Sequence, residues 1–332
     1  ISVVAVSLKK KARHVQFQRL WCAGFHRGSV LGPLLFLLYT ADLQLVERHG
    51  LRSHLYADDM QIYGSCRPTA TDQLQNQVTT CIADVAEWMC SNRLQLNTSK
   101  TEVMWCATRR KNQIPSTALQ VGSDMVTPAT SVRDLGIYLD SDLSMRTHVQ
   151  KTVSCCFASM RQIRSIRRSV TRPVLQSLVS ALVLTRLDYG CVTLAGLPDT
   201  LTDRLQSVLN AAARLVFSAR KYDHVTSLLK DLHWLRVPER IGYRLAVLVY
   251  RCMHGLAPSY LANELNRVAD LESRQRLRSS STATLIVPPT RLSTIGDRAF
   301  PVAASRVWNS LPPHVTSSPP LPVFRKRLKT EL

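Results

Sequence analysis

The sequence of 332 residues contains no CxxC pair, and its nine cysteines are scattered along the chain. This distribution argues against a zinc knuckle and against the disulfide framework of a small secreted protein. Long apolar runs are missing too, because the longest, residues 30–40, is shorter than the roughly 20 residues that a membrane helix needs. The sequence therefore predicts neither zinc nor a membrane partner, and it favours a location inside the cell, in the nucleus, the cytoplasm or both.

Acidic residues are also few, with 23 Asp and Glu against 43 Lys and Arg, which gives a formal net charge of +20. Such a balance favours a polyanionic partner. The excess is uneven, since residues 151–332 contain 27 basic and 11 acidic residues, a net of +16. The second half of the chain is the better candidate for holding a phosphate backbone.

The hydrophobic pattern predicts short strands first and helices afterwards. A β-like run covers residues 1–8, a hairpin residues 54–63 and an amphipathic helix residues 71–92. Strands follow between residues 94 and 140, and helices are predicted at 151–170, 172–185, 202–217, 223–235 and 238–253. Residues 268–322 are rich in Pro, Ser and Thr, which predicts extended or partly mobile structure. The fold class expected is α+β.

Two adjacent carboxylates, Asp58 and Asp59, follow Tyr56 and Ala57 at the predicted hairpin turn. Neighbouring carboxylates repel each other, and Mg²⁺, which prefers carboxylate and phosphate oxygens, offsets that repulsion. Such a pair could hold the metal ions of phosphoryl transfer. The alternative is structural, because Asp is common in turns, where its side chain bonds the local backbone.

Four segments occur in an order that resembles the reverse transcriptases of non-LTR, LINE-like retrotransposons. They are GSVLGPLLFLLYTADL, YADD, WMCSNRLQLNTSKTEVM and LGIYLD. The resemblance implies a partial reverse-transcriptase palm at residues 24–145, a short antiparallel sheet with helices on one face. It further implies an α-helical thumb and extension at 146–267 and a C-terminal region at 268–332, after a poorly defined segment at 1–23.

Carried over by position, the resemblance makes Asp58 the principal Mg²⁺ ligand and Asp59 its companion, in a family site that holds two Mg²⁺ ions. Lys100 matches the lysine that protonates or electrostatically stabilises the leaving pyrophosphate. The nucleotide and template contacts would be Gly28, Ser29, Tyr56 and Ala57, and the primer grip would include Leu135 and Gly136. The partners implied are an RNA template, a DNA primer and deoxynucleotides.

A row of arginines, Arg161, Arg164 and Arg168, lies in the strongly basic half at helical spacing, where it could contact a nucleic-acid backbone. A solvated helix face is the alternative. Lys100 could equally be a surface lysine, and Gly28 with Ser29 could be a helix N-cap.

The sequence also departs from the family. Members supply another catalytic Asp from a strand that precedes the GSVLGP segment, whereas the first acids here, Asp42 and Glu47, follow Gly28. His26 and Arg27 stand where the family usually has Pro-Gln. The fingers of the family are also missing, and the chain starts without Met, so we expect a truncated fragment. Because the upstream Asp and the fingers are missing, we expect little or no polymerase activity. The alternatives are a non-catalytic nucleic-acid-binding remnant and a helical protein-interaction module built from residues 171–265.

Overall fold

The computed structural model describes residues 2–12, 45–56, 59–92, 94–107, 117–270, 284–318 and 320–332, with residues 2–12 as backbone alone. The chain forms two compact units, Ile1–Thr147 and His148–Leu332. Helices and short antiparallel strands are both present, so the predicted α+β class is confirmed. The four segments proposed from the sequence as domains stay a prediction.

A five-stranded antiparallel sheet organises the first unit. Its strands are β1 (Ser2–Ala12), β2 (Arg52–Tyr56), β3 (Asp59–Cys66), β4 (Leu94–Leu96) and β5 (Glu102–Ala107). The central strand is β1, which pairs with β3 along one edge. Along its other edge it pairs first with β5 and then with β4. The strand predicted at residues 1–8 thus extends through three lysines to Ala12, because Lys9 pairs with β3 and Lys10 to Ala12 pair with β4, and this pairing outweighs the modest strand preference of lysine.

One face of this sheet is covered by a long helix, α2 (Thr71–Ser91), which follows the short α1 (Leu45–Arg48) and matches the helix predicted at 71–92. Its buried residues recur at helical spacing, which is why this face packs onto a sheet. They are Leu74, Val78, Cys81, Ile82, Val85 and Met89. Together with Met60 and Ile62 of β3 and Val103 and Trp105 of β5, they form the core of the unit.

The opposite face of β5 packs against a two-stranded hairpin later in the chain. Met104 and Cys106 alternate with the core-facing residues of β5 and contact Val132. Val132 belongs to β8 (Ser131–Asp134), which forms a hairpin with β9 (Ile137–Asp140). An earlier hairpin joins β6 (Leu119–Val121) to β7 (Asp124–Val126).

The end of β9 is tied to the start of the next helix, α3 (Arg146–Ile166), by a buried carboxylate. Asp140 accepts hydrogen bonds from the Thr147 backbone N–H, at 3.2 Å, and from Ser144 Oγ, at 3.1 Å. Because the first N–H groups of a helix have no partner within it, Asp140 acts as a cap supplied from the preceding strand.

The second unit is helical. After α3 come α4 (Arg172–Val179), a π-helical turn (Ser180–Leu184), α5 (Thr185–Asp188), α6 (Asp199–Phe217), α7 (Val225–Asp231), α8 (Val237–Met253) and α9 (Ser259–Ala262). The helix predicted at 172–185 is therefore continuous in the chain but changes its hydrogen-bond pattern in the middle. No helix in the described ranges is long and apolar enough to cross a membrane.

The prediction of extended structure at residues 268–322 is wrong for much of its described part. That part contains α10 (Ser293–Gly296), α11 (Phe300–Asn309) and α12 (Pro313–Thr316), and α13 (Leu321–Glu331) begins at its end. Prolines occupy the first turns of α11, α12 and α13. Pro is favoured there because the first N–H groups of a helix are unpaired in any case, so these prolines begin helices rather than prevent them.

An aromatic cluster holds the C-terminal helices onto α8. Phe324 of α13 stacks against Tyr250 of α8 and Trp308 of α11, with ring centroids 4.4 and 5.9 Å apart. All three side chains are buried, and the Tyr250 hydroxyl donates a hydrogen bond to the Ser318 carbonyl at 3.1 Å. The C-terminal region therefore contributes to the core of the second unit.

Candidate functional site

The predicted catalytic hairpin is formed by β2 and β3. The register pairs Tyr56 with Asp59 and leaves two positions, Ala57 and Asp58, for the turn. Ala57 and Asp58 themselves lie outside the described residues, as do Gly28 and Ser29. Tyr56 is 66% exposed, and Asp59, the first residue of β3, is half-buried.

The strand beside this hairpin contains no carboxylate. Residues 2–12 read SVVAVSLKKKA, and Lys9 is the backbone partner of Asp59. Neighbouring strands lie about 5 Å apart, so a basic residue occupies the position next to Asp59. The sequence predicted β structure for residues 1–8 but did not reveal that the lysines after it continue the strand and reach the hairpin.

Lys100 lies at the same end of the sheet. It ends the 3-10 turn Thr98–Lys100, which connects β4 to β5 and packs beside β1. On this edge of β1, β4 pairs with the residues from Lys10 onward and β5 pairs with the residues up to Ser7. The turn between β4 and β5 therefore lies beside Lys9. Lys100 is exposed. The fold thus brings Asp59 and Lys100 to the two sides of β1, with backbones separated by about two strand spacings, ~10 Å.

Leu135 and Gly136 form the tip of the β8–β9 hairpin. Asp134 pairs with Ile137, so these two residues make the turn, and their φ angles are +43° and +87°. A two-residue turn with both φ angles positive matches the right-handed twist of paired strands. Gly is suited to this conformation, whereas Leu is rarely found in it. The predicted primer-grip pair is therefore a hairpin tip in a two-stranded sheet of its own.

The predicted arginine row is exposed. Arg161 and Arg164 lie on α3, and Arg168 lies in the 3-10 turn Arg167–Ser169 that follows it. None of the three forms an ion pair within the described ranges. The row is therefore accessible to a partner from solution, as a nucleic-acid contact requires.

The oxygen ligands at the hairpin end of the sheet are few. Asp59 and Glu102, the first residues of β3 and β5, are the carboxylates that the described residues place there, and Asp58 adds another by sequence. No cluster of three or more His, Cys, Asp or Glu suited to a metal occurs in the part of the chain that the structure describes. Two Mg²⁺ ions need a larger set of oxygen ligands, so these residues do not fit a complete two-ion site.

Comparison with known proteins places these features in a family context. No protein-family profile matches the chain. A probable RNA-directed DNA polymerase from the Drosophila melanogaster transposon BS is 28% identical over 235 residues, which is 68% of this chain. A probable RNA-directed DNA polymerase from the X-element transposon of the same fly is 26% identical over 229 residues, or 66% of the chain. The chain is related to transposon RNA-directed DNA polymerases.

This relationship confirms the resemblance to non-LTR reverse transcriptases that the four ordered segments predicted. The match covers 25% of the length of the transposon BS polymerase and 24% of that of the X-element polymerase. The roles of individual residues in the chain are not decided by the relationship, and Asp58, Asp59 and Lys100 stay predictions.

Proposed function

We propose that the chain is part of a non-LTR reverse transcriptase, in lineage a Mg²⁺-dependent RNA-directed DNA polymerase. The first unit would be a partial palm, with the hairpin of β2 and β3 at its catalytic end. The second unit would be the helical thumb and extension. The two polymerase relatives and the ordered motifs support this assignment. An RNA template, a DNA primer and deoxynucleotides are the partners, in the nucleus or cytoplasm.

We further propose that these 332 residues do not polymerise DNA by themselves. The observation that carries the proposal is the acid-free strand β1, which precedes the GSVLGP segment and pairs directly with the hairpin strand β3. In the family, a strand before that segment provides a catalytic Asp. Without a carboxylate from this strand the site would bind Mg²⁺ poorly, and most transition-state stabilisation would be lost.

What remains would be binding of nucleic acid without catalysis. The exposed arginines Arg161, Arg164 and Arg168 favour this role over a protein-interaction module, because they form no ion pair with the residues that the structure describes and exposed guanidinium groups suit a phosphate backbone. Binding of this kind releases counterions, so its affinity falls as salt concentration rises.

The test is primer extension on an RNA template with Mg²⁺ and deoxynucleotides. The purified chain is compared with an Asp58→Ala, Asp59→Ala double variant and with Asp124→Ala, which removes an exposed acid from β7. We expect no extension by any of the three and salt-sensitive binding of an RNA–DNA duplex by all of them. Extension that the double variant loses and Asp124→Ala keeps would show that another carboxylate completes the site.

A further inference from the structure

A cleft of about 610 Å³ in the second unit is lined by basic residues from two helices. Arg240, Arg244 and Arg251 come from α8, and Arg325 and Lys329 come from α13. None of them belongs to the candidate polymerase site or to the arginine row on α3.

The spacing of these residues explains why they share one cleft. Positions 240, 244 and 251 recur at intervals of four and seven residues, which places them on one stripe of α8. The stripe is about 16 Å long, because an α-helix rises 1.5 Å per residue. Arg325 and Lys329 are one turn apart on α13 and line the cleft with them. The cleft therefore has basic residues along both helices.

One acidic residue, Asp188, lines the cleft and fixes two of the arginines. Arg240 donates two hydrogen bonds to its carboxylate, from Nε at 2.9 Å and from Nη2 at 2.7 Å. Arg244 donates a third from its Nη2, at 2.7 Å. The side chains of Asp188 and Arg240 are 16% and 17% exposed. This contact positions Arg240 and Arg244 at the cleft wall.

The charge of the cleft remains strongly positive. Five basic side chains face a single carboxylate, which leaves four net positive charges in the lining. Arg251, Arg325 and Lys329 are exposed and form no ion pair among the residues that the structure describes. Like charges gathered in a concave surface repel each other, and an anion that occupies the cleft would relieve this repulsion.

We propose that this cleft binds the sugar–phosphate backbone of a single nucleic-acid strand. A strand fits because its phosphates are repeated along its length, as the basic residues are along α8. One phosphate group could not contact both ends of a stripe about 16 Å long. Guanidinium groups bind phosphate oxygens through paired N–H donors, and each phosphate neutralised releases counterions. Binding of a strand in this cleft goes beyond polymerase ancestry and needs no catalytic site.

The test uses the full chain and a labelled single-stranded RNA of 12 nucleotides, with binding measured by fluorescence anisotropy at several salt concentrations. In the cleft variant, Arg251, Arg325 and Lys329 are each replaced by Gln, which removes exposed charges and keeps Asp188 with its two arginines. The matched control replaces three exposed basic residues of the same unit that lie outside the cleft, Arg204, Arg220 and Lys326.

We expect the cleft variant to bind at least about tenfold more weakly than the control variant. Its plot of log affinity against log salt should also be less steep by about 2, since each lost contact to a single strand removes ~0.7 from the slope. Circular dichroism should show the same helical content in all three proteins. Equal losses in the cleft and control variants would overturn the proposal, because they would reveal general attraction to a basic surface.

A second arm separates a strand from a free nucleotide. ATP, which carries three linked phosphates, should displace the RNA only at concentrations far above those at which an unlabelled 12-nucleotide RNA does. Equal potency of ATP and RNA would assign the cleft to nucleotides and overturn its assignment to a strand. Neither arm depends on primer extension, so failure of the polymerase proposal and failure of this one give different results.

Discussion

Replacing Phe324 with Ala should destabilise the second unit by about 4 kcal/mol. Its ring is fully buried and stacks on both Tyr250 and Trp308, at 4.4 and 5.9 Å between centroids. Removal of a buried Phe ring costs about 3–5 kcal/mol, and the lost aromatic pairs are part of that cost. Domains are stable by only about 5–15 kcal/mol, so the variant would lose about a quarter or more of the total.

The matched control is Val323→Ala, one position earlier on α13. The Val323 side chain is 38% exposed, and Ala is the better helix former, so its stability should change by no more than about 0.5 kcal/mol. Urea denaturation followed by far-UV circular dichroism compares the midpoints of the two variants with that of the unsubstituted chain. A loss below about 1 kcal/mol for Phe324→Ala would contradict the conclusion that the C-terminal helices belong to this core.

Two further outcomes test the caps and ion pairs. Asp140→Ala should cost about 1–2 kcal/mol in urea denaturation, because Thr147 N–H and Ser144 Oγ lose their acceptor; an unchanged midpoint would contradict the capping role. Hydrogen bonds from Arg306 and Thr290 hold the pKa of Asp297 below its ordinary value, so its stabilising contribution is present at neutral pH and lost as the pH falls below about 4. Asp297→Asn should therefore show a weaker dependence of the unfolding midpoint on pH in that window, and an unchanged dependence would refute it.

The sequence predicted the elements whose patterns are local. The helix α2 was predicted within one residue of its end, because its apolar residues recur at helical spacing against a sheet. The hairpin of β2 and β3 was also predicted, since a turn sequence separates two apolar arms. The helices at 300–331 were missed because their prolines and serines are also common in loops. A proline that begins a helix differs from a proline in a loop only in its position, the first turn of the helix.

Contacts between segments that are distant in the chain could not be predicted from the sequence. Nothing local indicates that Lys9 pairs with Asp59, since 49 positions separate them and the register depends on the whole sheet. The basic cleft is a similar case, because Arg240 and Lys329 line one cleft only after α13 packs on α8 through Phe324. The spacing of the three arginines on α8 is visible in the sequence, but it does not indicate that α13 forms the other wall of the cleft.

The central place of β1 has a consequence for biosynthesis. Ser2 pairs with Cys66 on one edge and with Ala107 on the other, so both partners of this strand are made long after it. At about 5–20 residues per second, the ribosome needs roughly 5–20 s to add the 105 residues that follow Ser2 up to and including Ala107. Both edges of the apolar strand SVVAV lack a partner until Cys66 is made, and the edge that pairs with β5 lacks one until Ala107 is made. An unpaired strand edge is a known risk for association between chains.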